Sequence, residues 1–122
     1  MIHHVDVLSL RLVPDELWAF VEPSLPPAGM RRQGGGRSVA QPRKVFTAIV
    51  FVVTSGCAWR HLPPSFDVAV PTAHRWFVTW SAHGLWERLR NAVAAQPDEG
   101  ACADWLTAII DAASTRAGAL SD

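Results

Sequence analysis

Pro42-Arg43-Lys44-Val45-Phe46-Thr47-Ala48-Ile49-Val50-Phe51-Val52-Val53-Thr54-Ser55-Gly56 is the stretch whose reading decides the fold. Its central run, Val45 to Val53, is rich in β-branched and aromatic residues, and propensity alone favours a strand there. Fifteen residues opened by a proline and closed by a glycine suit a helix better. Proline is pre-organised for a first helical turn, and glycine for the position after the last. Periodicity does not separate the two. As a helix, the element is apolar nearly all round and has to be central.

Working outward, residues 71–82 give the clearest amphipathic helix. Ala73, Trp76, Phe77 and Trp80 fall at i, i+3, i+4 and i+7 and make one apolar stripe, with Thr72, His74, Arg75 and Thr79 off it. Gly84 breaks the chain. The spacing then predicts a helix over 85–95, with Leu85, Leu89 and Ala92 inward and Arg88 and Arg90 outward. Trp59-Arg60-His61-Leu62 precedes Pro63-Pro64 and has room for at most one helical turn. Upstream, Pro14-Asp15-Glu16 starts a helix with proline in first position and acids where the dipole favours them. Leu17, Phe20 and Val21 repeat at helical spacing until Pro23 and Pro26-Pro27 stop it. Residues 26–42 contain Gly34-Gly35-Gly36 and several arginines and read as a flexible basic linker. Residues 96–100 read as a polar turn. Leu106-Thr107-Ala108-Ile109-Ile110 is a short apolar run that reads as a strand with Asp111 at its tip. The tryptophans, Trp18, Trp59, Trp80 and Trp86 above all, are expected in the core. The fold class is therefore mainly α: a small helix-turn-helix-like bundle with a short C-terminal strand stub. The stub is expected to be poorly held, having no partner strands. The expected divisions are an N-terminal helix with its linker over 1–41 and the helix-turn-helix-like region over 42–96.

Formal net charge is zero, but its distribution is uneven. Between Met30 and Arg75 stand seven basic residues (Arg31, Arg32, Arg37, Arg43, Lys44, Arg60, Arg75) against one acid, Asp67, which leaves that stretch at +6. A basic face turned to a polyanion, with acidic flanks, accounts for this asymmetry. Chance grouping of surface charge is the plainer account. Cys57 and Cys102 make no disulfide framework. The start, His3-His4-Val5-Asp6, does not read as a secretory leader. The most apolar run is nine residues, against the roughly 20 a bilayer needs. The expectation is a protein of a reducing compartment with no membrane partner.

Helix, short turn, helix is the arrangement that lays a second helix in the major groove of double-stranded DNA. Arg75 suits a two-point grip on guanine, and Thr72, His74 and Thr79 suit bases or phosphates. Arg31, Arg32, Arg37, Arg43 and Lys44 are the candidate phosphate contacts, which supply most of the affinity. A small helical domain with surface arginines fits the same residues, and the residues alone do not choose. Asp111, at the end of an apolar run, is a common position for a metal ligand. On composition alone a turn aspartate is the commoner explanation.

Six segments in order resemble one family. Leu17-Trp18, Glu22-Pro23 and Leu25-Pro26-Pro27 resemble the opening of IS-five-type insertion-sequence transposases. Gly56-Cys57-Ala58-Trp59-Arg60 with Leu62-Pro63 resembles their most recognisable segment. Thr72-Ala73-His74-Arg75-Trp76-Phe77, then Trp80 and Gly84-Leu85-Trp86, continue the match, and Asp104-Trp105 with Ile110-Asp111-Ala112-Ala113-Ser114 and Arg116-Ala117 resembles the start of a catalytic domain over 103–122. Trp76, Val78 and Thr79 stand where that family is often basic. The resemblance implies a helical DNA-binding region that recognises element ends. It further implies a ribonuclease-H-like domain in which two aspartates and a glutamate hold Mg2+, with Asp111 as the first of these catalytic and metal-binding carboxylates. Asp122 lies eleven residues past Asp111, so this chain is expected to hold no cofactor of its own and to be inactive alone. It is expected to be either a decayed remnant or the first-frame product of a frameshifted element. The implied partners are double-stranded DNA, a second copy, or full-length transposase, in the bacterial cytoplasm and at the nucleoid when bound. The competing reading is a fragment that pairs with full-length transposase without touching DNA.

Overall fold

Residues 42–56 resolve as a helix. The computed structural model describes residues 11–26, 41–95 and 101–120, and five α-helices lie wholly within them: α1 (Asp15–Val21), α2 (Pro42–Ser55), α3 (Val70–Ala82), α4 (Leu85–Ala95) and α5 (Ala101–Leu120). Pro42 opens α2, and Gly56 closes it in the left-handed region at φ 76°, its amide donating to the Val52 carbonyl at 3.0 Å. A side chain at Gly56 would be strained there. The β-branched run does not become a strand because its apolar surface has partners on every side of a helix. Val45, Phe46, Ala48, Ile49, Val50 and Val52 are all 0% exposed. Each such burial is worth about 1.5–3 kcal/mol for the larger side chains, which outweighs the few tenths that helix propensity costs them. Thr47, the one buried polar residue of the helix, donates its hydroxyl to the Arg43 carbonyl at 2.7 Å and leaves nothing unsatisfied.

Two apolar clusters meet on α2. The larger joins Leu17 and Val21 of α1, Phe46, Ile49, Val50 and Val53 of α2, Phe77 and Trp80 of α3, Leu85, Trp86 and Leu89 of α4, and Leu106, Ile109, Ile110 and Ala113 of α5. The smaller packs Ala48 and Val52 against Leu62, Phe66 and Ala73, beneath the connection between α2 and α3. Trp80 and Trp86 are buried, as expected. Trp18 and Trp59 are half-buried and pack against the larger cluster. Pro14 caps α1 from outside rather than occupying its first position. The short element at Trp59–His61 is a single 3-10 turn, as its length required. Of the linker expected over 26–42, residues 27–40 lie outside the described residues and Pro42 already belongs to α2; the polar turn expected at 96–100 also lies outside them.

The strand expected at 106–110 is overturned. These residues are helical, within α5, and no strand is present among the described residues. Leu106, Ile109, Ile110 and Ala113 recur at i, i+3, i+4 and i+7, a helical stripe that runs on past Asp111. Taken only as far as the aspartate, the same residues are a short apolar run with no period of their own. Nor is the segment poorly held: Ile109 is 0% and Ile110 1% exposed. α5 lies against α2 and α4 and also touches α1 and α3. The Trp105 indole donates to the Leu12 carbonyl at 2.8 Å and ties the segment before α1 to α5.

Ile109→Ala should lower stability by about 2–5 kcal/mol in urea unfolding, as buried isoleucine truncations do. The amides of Ile109 and Ile110 should also exchange slowly. A loss under roughly 0.5 kcal/mol, typical of surface changes, would show that α5 is not part of the core.

Candidate nucleic-acid interface

α3 buries Ala73, Phe77 and Trp80 against the bundle. At about 100° per residue, the opposite side of the helix carries Arg75 at its centre. Thr72 and Thr79 flank Arg75 on one side, and Val78 and His74 on the other. The structure thus brings four of the nine proposed DNA-contacting residues onto one helix. Arg75 is exposed, and among the described residues it has no ion-pair or hydrogen-bond partner. Thr72 and Thr79 are half-exposed beside it. Val78, 39% exposed, is the exposed large hydrophobic residue of the described chain. The His74 ring turns away from the centre of this face and meets Trp59 edge-on at 5.3 Å.

Arg43 and Lys44 are engaged within the chain. Both stand in the first turn of α2, where the helix dipole disfavours cations, and each has an acid beside it. Arg43 Nη2 reaches Asp15 at 2.7 Å and donates to the Val13 carbonyl at 2.8 Å. Lys44 Nζ reaches Asp67 at 2.8 Å. Asp67 itself sits in the left-handed region at φ 62°, which aspartate tolerates better than most residues. The hydrogen bond from Lys44, and then its positive charge, hold the Asp67 carboxyl below the usual aspartate range. Arg31, Arg32 and Arg37 lie outside the described residues.

The connection between α2 and α3 runs over residues 56–69, fourteen positions with two 3-10 turns, so it is not the short turn expected. Its first turn carries Arg60 and His61, both exposed, next to Trp59 and therefore beside the His74 flank of α3. Arg60 is part of the charge asymmetry, but nothing in the local spacing marks it for this face. The contact of Trp59 with His74 brings the turn that carries Arg60 to the border of the open face. α3 and α4 are joined by His83 and Gly84 alone, with Gly84 at φ 76°. Arg88 braces this corner by donating to the carbonyls of Ser24, at 2.8 Å, and His83.

Asp111 projects from the exposed side of α5, and its carboxylate accepts from Arg90 of α4 at 2.9 Å. The same guanidinium reaches the Ser114 hydroxyl at 3.3 Å. The pair joins two helices of the bundle, so Asp111 does not lie outside it, as expected from the strand reading. Among the described residues, no three His, Cys, Asp or Glu side chains stand together to hold a metal ion. The Asp111 carboxylate is thus engaged by a guanidinium of the neighbouring helix.

Residues 13–90 match a family described as "Putative transposase of IS4/5 family". One similar protein is the uncharacterized 16.2 kDa protein of insertion element IS402 from Burkholderia cepacia. It is 35% identical over 108 residues, which span 87% of this chain and 74% of the relative. No solved structure matches the chain. Among the described residues, no helix is long and apolar enough to cross a membrane.

The Asp67 carboxyl should titrate below the usual aspartate range in a carbon-detected NMR titration, and Lys44→Met should move its midpoint up. Because the folded value is lowered, the pair's stabilisation is present above the usual aspartate range and is lost as pH falls through the lowered value. Both groups are exposed, so the loss should be small and should shrink with salt. A midpoint indifferent to Lys44→Met would show that the pair does not form in solution.

Proposed function

Because the chain belongs to the IS4/5 transposase family, we propose that its helical bundle is the DNA-recognition portion of such a transposase, docking α3 in the major groove at the ends of an insertion element. The observation that carries this reading is the open side of α3: an exposed arginine at its centre, unpaired among the described residues, between two threonines and a valine. Such a face has the chemistry of base readout. Arg75 offers a fork for guanine O6 and N7, and the threonine and valine methyls suit the thymine methyl. Arg60, on the turn bordering that face, is placed to meet the backbone phosphates, with Arg31, Arg32 and Arg37 as further phosphate contacts. Arg43 and Lys44 serve first to fix the start of α2, and they reach a phosphate only by giving up Asp15 and Asp67. α2, its connection and α3 together take the part of a helix-turn-helix with a lengthened turn.

The competing reading, a fragment that pairs with full-length transposase and leaves DNA alone, draws on Val78. Val78 and Pro71, both exposed on this face, would offer a protein partner a small apolar contact. Titration against end-sequence duplexes separates the two readings, since only the first expects binding at low salt.

Arg75→Ala should cost about 1–3 kcal/mol on the preferred duplex and relax preference at one base position. Arg60→Ala should weaken all duplexes alike. With about four to six phosphate contacts, the logarithm of affinity should fall against the logarithm of salt with a slope near −4 to −5. Equal losses on preferred and random DNA for Arg75→Ala would reduce it to a phosphate contact. No binding at low salt would sink the DNA reading.

A further inference from the structure

The outer flank of α3 is braced from the far end of the chain. Arg116, half-buried on α5, donates from Nη2 to the Cys57 carbonyl at 2.7 Å across 59 positions of sequence. Its guanidinium carbon stands 5.5 Å over the Trp59 ring. Trp59 in turn meets His74 edge-on, at 5.3 Å and 82°, and Phe77 at 5.3 Å. One line of contacts therefore runs from α5, through the connection over 56–69, to the side of α3 that borders Arg75. The Cys57 carbonyl lies beyond the end of α2, where no helical amide follows to satisfy it, so a long-range donor meets a definite need. A fork that donates in its plane while stacking on a ring is a guanidinium property that an ammonium lacks.

We propose that Arg116 is a positioning residue for DNA reading: by clamping Trp59 it sets where His74 and the open face of α3 stand against the groove, which makes α5 part of the reading unit. The proposal rests on the DNA-binding reading above. It separates Arg116 from Arg60 and Arg75, which act at the DNA surface itself. The lost charge of an Arg116 variant weakens every duplex alike, whereas lost positioning weakens the preferred duplex most.

The full chain should be taken through a randomised duplex pool to obtain the duplex it selects. Affinities for that duplex and a scrambled one are then measured for the wild type, Arg116→Ala and Arg116→Lys. The His74 ring-proton NMR signals, shifted by the Trp59 ring, report the clamp directly, and circular dichroism melting reports the fold. Arg116→Ala should lose roughly fivefold to tenfold on the selected duplex, in the range for groups that couple through contact. On the scrambled duplex it should lose about twofold or less, the effect of one charge. The His74 signals should move in parallel. Arg116→Lys keeps the charge, so a selective loss in it supports positioning even where the alanine variant fails to fold. Equal losses on both duplexes with unmoved His74 signals would overturn the proposal. Moved signals with no selective loss would overturn the role in reading while leaving the clamp. A wild type that binds DNA but selects no duplex overturns this role, and one that does not bind at low salt sinks the DNA-binding reading itself; in both cases the His74 signals still register the clamp.

Discussion

Everything in this fold depends on a helix with no polar side to spare. α2 presents buried side chains through most of its circumference, and its stability as a helix rests on being covered, since the same β-branched residues left in water favour extended backbone. That single demand explains the layout of the rest. α1, α3, α4 and α5 contribute to the cluster centred on Phe46, Ile49, Val50 and Val53, and the turns at Trp59–His61 and Pro64–Phe66 close the remaining side through Leu62 and Phe66. The aromatic residues fill the widest gaps, with Phe46 between the Trp18, Trp80 and Trp86 rings at 5.8 to 6.4 Å.

Polar groups hold the joints of this wrapping and leave one face open. The ion pairs Arg43–Asp15, Lys44–Asp67 and Arg90–Asp111 each join different segments, and all three are exposed enough that their worth lies more in fixing geometry than in energy. Arg88, Trp105 and Arg116 do the same through backbone carbonyls. Of the arginines on the elements that carry the candidate interface, Arg60 and Arg75 are the ones that no described partner claims. Of the four basic residues of the +6 stretch that are described, Arg43 and Lys44 are thus paired within the chain and Arg60 and Arg75 are not.

Most of the fold was legible, and the errors are instructive. The stripe of Ala73, Phe77 and Trp80 and the Gly84 break placed α3 and α4 nearly to the residue, because an amphipathic period leaves little choice. The choice of helix for residues 42–56 turned on the proline and glycine at its ends rather than on its composition. α5 is not legible as a helix where Asp111 is taken for a terminus. A charged residue on the open side of a helix does not interrupt the buried stripe on the other side, and Ala113 continues that stripe. In the candidate site, the side of α3 that carries Arg75, Thr72 and Thr79 was legible from the same period. What sequence spacing had no means of showing is which cations are already spoken for. Asp15 lies 28 positions from Arg43 and Asp67 lies 23 from Lys44, and nothing local links them.

The closing of α5 over α2 has a consequence for how the chain is made. Synthesis runs from the first residue to the last, so α2 is complete at Ser55, while the side chains that cover it from α5, Leu106 to Ala113, emerge more than fifty residues later. At synthesis rates of about 5–20 residues per second, that interval is several seconds. Throughout it, one flank of an almost wholly apolar helix has no native cover. The bundle cannot be completed on the ribosome until α5 has left the exit tunnel. The flank of α2 that Leu106 to Ala113 cover is therefore the last part of the core to be sealed, however early α2 itself is made.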